Sequence, residues 1–235
     1  MANFSPQQLI SQILSPAVQF WLRSQVEQVQ ALQVAITGKN RQLLSGYLPK
    51  ITLMSDRAIY QGLHLSQVTL TGENIRVNLG QVLKGHGLRL LETVSVYGHV
   101  LLEQVDIQAS LQAPLLAEGI REFLTMVLIP EENSLPKDWQ IDWQAVQVTP
   151  EQLTLKGNLA IAGQSTHPIV IRSGLTLASP QQLCLSSLQI EAEGLGTAPE
   201  EYILDLGPQV NLSALTLGEG EIVVRGEIMV IPEEG

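Results

Sequence analysis

Cysteine occurs once in the 235 residues, as Cys184, which excludes an intramolecular disulfide and any zinc site built on several thiolates. Long apolar runs are missing. None exceeds four residues, whereas a membrane-crossing helix needs about 20. Basic residues are missing from the start. The first is Arg23, so a secretory signal or lipoprotein anchor is not expected, and a reducing cytoplasm is the expected compartment. Aromatic residues make up 4% of the chain and charged residues 15%, the latter against roughly 25% in an average soluble protein. Gly and Pro, at 19 and 12, are near average usage, so collagen-like or disordered structure is excluded.

What fills these gaps is glutamine and leucine, 24 and 38 residues respectively. The polar faces are therefore mostly uncharged, and the 45% hydrophobic content is enough for a sizeable core. The net charge of −10 is uneven: residues 1–100 carry +4 and residues 101–235 carry −14. No dense Lys/Arg stripe exists, which argues against nucleic acid as a partner. A local basic surface in the first half still suits an anionic partner.

Two zones carry helical spacing. In the first, Ser5-Pro6 and Ser15-Pro16 are helix starts. Val18, Trp21, Leu22, Val26 and Val29 then fall on one helical face, with Phe20 off that stripe. The period changes at Leu32, Val34 and Ile36, which reads as a strand. The second zone spans about residues 104–128, where Pro114 predicts a break or kink, and Leu116, Ile120, Phe123, Leu124, Val127 and Leu128 continue the apolar face. Residues 130–138 form a polar, proline-containing loop between two halves of a single domain spanning 1–235.

Nearly everything else alternates with period two, and one compound pattern recurs. Leu63, Leu65, Val68 and Leu70 fit it, as do Ile141, Trp143, Val146 and Val148. Leu183, Leu185, Leu188 and Ile190 form a third set, and Val210, Leu212, Leu215 and Leu217 a fourth. Strict alternation would put the third residue of each set on the wrong face. One extra residue in mid-strand, a β-bulge, restores it. After three of the sets come polar gaps, Thr71–Asn74, Thr149–Gln152 and Gly218–Glu221, that read as hairpin turns before a return strand. The expected fold is α+β: a long, highly curved, bulged antiparallel sheet wrapped around the N-terminal and central helices.

No catalytic motif is present. There is no Gly-x-Ser-x-Gly elbow and no Walker loop, and Gly194-x-Gly196 and Gly218-x-Gly220 lack the third glycine of a dinucleotide fingerprint. His64, His86, His99 and His167 are scattered, without metal-ligand spacing. The carboxylate clusters read as solvated surface, and Cys184 as a small buried hydrophobe. No enzyme activity and no cofactor or metal is expected.

Several stretches resemble the LmeA-like phospholipid-binding family, frequent in cyanobacteria. They are residues 15–36, residues 41–85 from Arg41 to Gly85, residues 88–100, residues 106–120, and Leu206-Gly-Pro-Gln-Val followed by the final hairpin. The resemblance implies a tubular lipid-binding type of fold around an apolar groove. The family's exported mycobacterial member acts in mannan elongation. Neither that member's signal nor its lipidation cysteine is expected for this chain, so an envelope role is not carried over.

The expected function is thus non-enzymatic binding of a lipid, a phospholipid first of all, or another long apolar molecule in an elongated groove. The expected lipid contacts are Trp21, Leu22, Val26, Val94, Val96, Ile120, Phe123, Leu124, Trp139 and Trp143. Phe20, Lys39 and Arg41 are the expected headgroup or membrane contacts, placing the protein at the periphery of an anionic membrane. The competing expectation is a scaffold with a filled core that binds a protein partner and no ligand.

Overall fold

A computed structural model of the chain describes Val18, Arg23 and residues 26–82, 84–128, 139–161, 165–192 and 199–232. The period-two alternation becomes eleven antiparallel strands among these residues: β1 Gln28–Thr37, β2 Tyr47–Tyr60, β3 Leu63–Arg76, β4 Val94–Glu103, β5 Trp139–Val148, β6 Leu153–Ile161, β7 His167–Ser179, β8 Gln182–Ala192, β9 Glu201–Asp205, β10 Val210–Gly218 and β11 Glu221–Val230. The helices are α1 Asn40–Leu44, α2 Leu79–Val82, α3 Gln104–Ser110 and α4 Pro114–Val127.

Instead of one continuous sheet there are two. The first has six strands in the order β1-β2-β3-β4-β11-β10, and the second has five in the order β5-β6-β7-β8-β9. The chain leaves the first sheet after β4, forms α3, α4 and the whole second sheet, and returns to pair β11 with β4. The two sheets are tied by backbone hydrogen bonds from Leu212 N–H to Pro180 O (2.6 Å) and from Gly220 N–H to Val148 O (3.0 Å).

Three of the four expected bulges are present. Pairing slips by one residue at Gln144 in β5, at Ser187 in β8 and at Ser213 in β10. Each bulge faces a glycine on its partner strand. A Cβ on Gly157 would lie 2.7 Å from Asp142 O, one on Gly174 2.5 Å from Ser186 Oγ, and one on Gly226 2.7 Å from both Asn211 O and Leu212 Cα. At Gly157 and Gly226 the bulged backbone bends onto its neighbour, and only a residue without a side chain leaves room for it.

The first copy of the pattern differs. β3 holds one register against β2 from Tyr60↔Leu63 to Tyr47↔Arg76, with no extra residue. Its phase change is shared with β2, where Arg57 opposite Ser66 takes a left-handed conformation (φ 47°) and both strands turn over together. Thr71–Asn74 is likewise no turn. It lies within β3 because β2 is long enough to pair with it, and left-handed Asn74 (φ 56°) accepts a hydrogen bond from Tyr47 Oη (2.5 Å). The other two expected turns, after β5 and after β10, are where the spacing put them.

The helical zone over residues 104–128 splits as Pro114 predicts, into α3 and α4, with Pro114 in the first turn of α4. The N-terminal helical stripe ends earlier than expected. Val18 and Arg23 are helical, but Val29 belongs to β1, opposite Ala58, because β2 offers its long edge from Ile59 onward. The expected helix over residues 5–14 and the loop over residues 130–138 lie outside the described residues.

Two cores result. The larger joins Leu111, Leu124, Val127 and Leu128 of the helical segment to Trp139, Trp143, Val146, Val148, Leu159, Ile169, Ile171 and Leu188 of the second sheet. Leu217 and Ile222 of the first sheet also enter it. The smaller joins Val18, Leu43, Leu48, Ile75, Val77, Leu79 and Val94 at the far end of the first sheet.

A candidate lipid groove along the central helix

Helix α4 lies across the second sheet. Its 14 residues span about 21 Å, close to the roughly 19 Å between the outer strands of a five-stranded sheet. Pro114, Ile120 and Arg121 stand against β5, and Phe123 packs edge-on to Tyr202 of β9 (ring centroids 5.5 Å apart, planes at 71°). Tyr202 Oη also meets Met126 Sδ at 3.4 Å.

What fixes the helical segment in place is a ladder of glutamines. Gln104 and Gln108 share one face of α3, and Gln112 follows four residues on, in the turn after it. That face lies along the free edge of β5. Gln104 Oε1 accepts the Val148 N–H (2.9 Å). Gln108 accepts the Val146 N–H (2.8 Å) and donates to Gln144 O (2.9 Å). Gln112 Nε2 donates to Trp143 O (2.9 Å). An edge strand presents unpaired backbone groups. Here side-chain amides, which carry both donor and acceptor, complete it without charge. From the other side, Ser66 Oγ accepts the Glu103 N–H (2.7 Å) and Ser110 Oγ accepts the His64 N–H (2.8 Å). Helix α3 thus bridges the two sheets.

Between α4 and β5 lies a groove of about 330 Å³ lined by Pro114, Ala117, Glu118, Ile120, Arg121 and residues Trp139–Trp143 apart from Asp142. The Arg121 guanidinium sits over the Trp139 ring, 5.6 Å from its centroid. At Pro114 the groove meets a second cavity of about 470 Å³, lined also by Leu115, Glu27, Gln61 and Gly62. A third, of about 260 Å³, begins at Gln28 and reaches Asp106, His64 and Arg57. Val29, Ala58, Ile59 and Leu65 also line the third. A separate polar cavity of about 490 Å³ lies beyond Gln104, among Val146, Val148, Lys156 and Glu219.

The structure brings together Ile120, Trp139 and Trp143 of the expected lipid contacts as lining of one groove. Leu124, only 1% exposed, lies beneath it in the protein's own core, and Phe123 stands at the β9 side. Val94 and Val96 are elsewhere. They start β4, about 30 Å along that strand from α3, and pack in the smaller core. Val26 is half-buried just before β1. Phe20, Trp21 and Leu22 lie outside the described residues. Lys39 and Arg41 are exposed at α1, where the Lys39 N–H is capped by Gln42 Oε1 (3.0 Å). The ladder, Arg121 and Asp106 are the features that the sequence reading missed. The four-residue glutamine spacing was visible, but nothing in it names the strand it serves.

Nothing among the described residues assembles three or more metal-ligating side chains, and no described helix is long and apolar enough to cross a membrane. No curated protein and no solved structure matches the chain. A family model does: the one described as LmeA-like phospholipid-binding matches residues 6–227.

Proposed function

The chain belongs to the LmeA-like phospholipid-binding family, and from that premise we propose that it binds a phospholipid with an acyl chain laid along α4, in the groove against β5. The observation that carries this reading is the chemistry of that groove. Ile120, Ile141 and two tryptophan rings offer an apolar wall, and Arg121 stands at the rim where a polar headgroup or ester would emerge. Its volume is at the lower end of ligand pockets, so it holds one chain, and the adjoining cavity at Pro114 and Leu115 extends the path.

A second feature supports contact with an anionic membrane surface. At the far end of the first sheet, Leu44 is 59% exposed and Leu91 57%. Hydrogen bonds from Val77 N–H to Gly46 O and from Leu91 N–H to Arg76 O, both 2.9 Å, hold their segments side by side. Lys39 and Arg41 precede Leu44 and Lys84 and Arg89 precede Leu91 in the chain, all four exposed, and none takes part in the ion pairs found among the described residues. Exposed leucines amid unpaired cations suit a lipid surface of negative charge.

The test is native mass spectrometry of freshly purified protein with extraction and identification of bound lipid. A stoichiometric phospholipid is expected. Ala117 is exposed and lines the groove, so Ala117→Trp fills it from the solvent side. That variant is expected to lose at least tenfold of the bound lipid at unchanged melting temperature. A lipid-free mass that stays lipid-free after incubation with vesicles overturns the reading. It favours instead a scaffold with a filled core, the reading that draws on the deep burial of Leu124, Trp139 and Trp143.

A further inference from the structure

The edge of a sheet presents backbone groups without partners, and three of the four edges of the two sheets are closed by identifiable means. The β5 edge is taken up by Gln104 and Gln108. β9 is five residues long with an acid at each end, Glu201 and Asp205. β10 is interrupted by the bulge at Ser213, and its Leu212 N–H donates to Pro180 O. The fourth edge is β1, which ends the first sheet and pairs only with β2 among the described residues. Its ten residues include no charged residue, no proline and no glycine. None of the usual devices against strand pairing is there.

The side chains decide what fits this edge. From Ala31 to Thr37 the strand alternates regularly, with Leu32, Val34 and Ile36 half-buried on one face and Gln33, Ala35 and Thr37 exposed on the other. A second β1 laid antiparallel, with the two Val34 residues opposite each other, sets Leu32 against Ile36 and Gln33 against Ala35. Opposite residues point to the same face, so apolar meets apolar and neutral meets neutral. Val34 and Ile36 already border the smaller core, which the second copy extends across the junction. The ends of the strand set its direction. Exposed Glu27 precedes β1, fixed by accepting the Gly62 N–H (3.1 Å), and exposed Lys39 and Arg41 follow it. Glu27 and Arg41 are equally far from Val34 along the chain. The antiparallel arrangement therefore brings each copy's acid to the other's cations, whereas a parallel one sets like charges together.

We infer that two copies of this chain pair through β1, antiparallel about a two-fold axis at Val34. Two sheets of six strands then become one of twelve. This contact does not depend on the lipid reading.

One strand per copy is a small interface, so the experiment is sedimentation equilibrium of the full chain from about 1 µM to about 1 mM. A reversible monomer–dimer equilibrium is expected. Gln33 and Ala35 are exposed, so Gln33→Lys combined with Ala35→Lys sets lysine against lysine across the junction without entering a core. That variant is expected to weaken the dimer by about tenfold or more. Gln33→Glu combined with Ala35→Lys sets opposite charges at the same places and is expected to restore it. A chain that stays monomeric throughout overturns the inference. So does a dimer that the two lysines leave unchanged, or that the glutamate–lysine variant fails to restore. Should the lysine variant not fold, amide exchange on the unaltered protein decides. Every second amide between Ala31 and Thr37, those facing away from β2, is expected to slow as concentration rises. Slow exchange at every concentration means that the chain's own residues cover the edge, and fast exchange at every concentration means that nothing does. Either result overturns the inference.

Discussion

A side chain as small as a hydrogen governs the bends of both sheets. Gly226 lies against the backbone of Asn211 and Leu212, so Gly226→Ala has no flexible neighbour to push aside. It is expected to destabilise the protein by about 1–3 kcal/mol, in the range of overpacking, seen as a lower midpoint in urea. Gly119 is the opposite case. It sits inside α4 with nothing within 4 Å of an added Cβ. Gly119→Ala is expected to raise stability by about 0.5–1 kcal/mol through the unfolded chain's lost freedom. One residue type thus has opposite value at two positions, and only the neighbours distinguish them.

Among the elements, the exposed edge of β5 is the one whose protection is most specific. Lysine or proline is the usual device against edge pairing. Here three glutamines do it, and Gln108 alone makes two of the contacts. Gln108→Leu leaves the Val146 N–H and Gln144 carbonyl without their partners. The expected loss is about 1–3 kcal/mol, with faster amide exchange at Val146 and a rise in light scattering as the edge recruits other chains. Unchanged exchange at Val146 would show that the ladder does not guard the edge. The bulges belong to this scale too. Three were legible as a slip in alternation at Gln144, Ser187 and Ser213. The fourth, in β3, has the same sequence signature but a different cause, because β2 changes phase with it at Arg57.

At the scale of the whole molecule, charge is sorted by position. The basic first half carries Lys39 and Arg41 just before exposed Leu44, and Lys84 and Arg89 just before exposed Leu91, and none of them lines the groove along α4. On the proposed reading, docking at one end and lipid loading along the middle are therefore separable. Replacing Lys39 and Arg41 together by glutamate is expected to weaken binding to anionic vesicles by at least tenfold, at about 1 kcal/mol per cation lost near the surface. The effect should fade as salt rises, and the lipid already held in the groove should be unaffected. Sedimentation with vesicles of graded phosphatidylglycerol content measures this.

Local chemistry suffices for much of this protein. Alternation specified strands, Pro114 specified the break between α3 and α4, and slips of one residue specified three bulges, because each of these depends only on neighbours along the chain. The helical wall of the groove, with Ile120, was legible for the same reason, and Trp139 and Trp143 shared a strand face. What required the tertiary structure is everything that joins distant segments. The chain leaves the first sheet, builds a second and returns through β10 and β11, and no local pattern records that return. Val94 and Val96 look like Trp139 and Trp143 in sequence but line a different core, since the sheet order separates their strands. Asp106 looks like any surface acid near a helix start. Its Oδ2 is buried and unpartnered in the fold, where Ser66, forty residues earlier, takes the Glu103 N–H at the start of the helix.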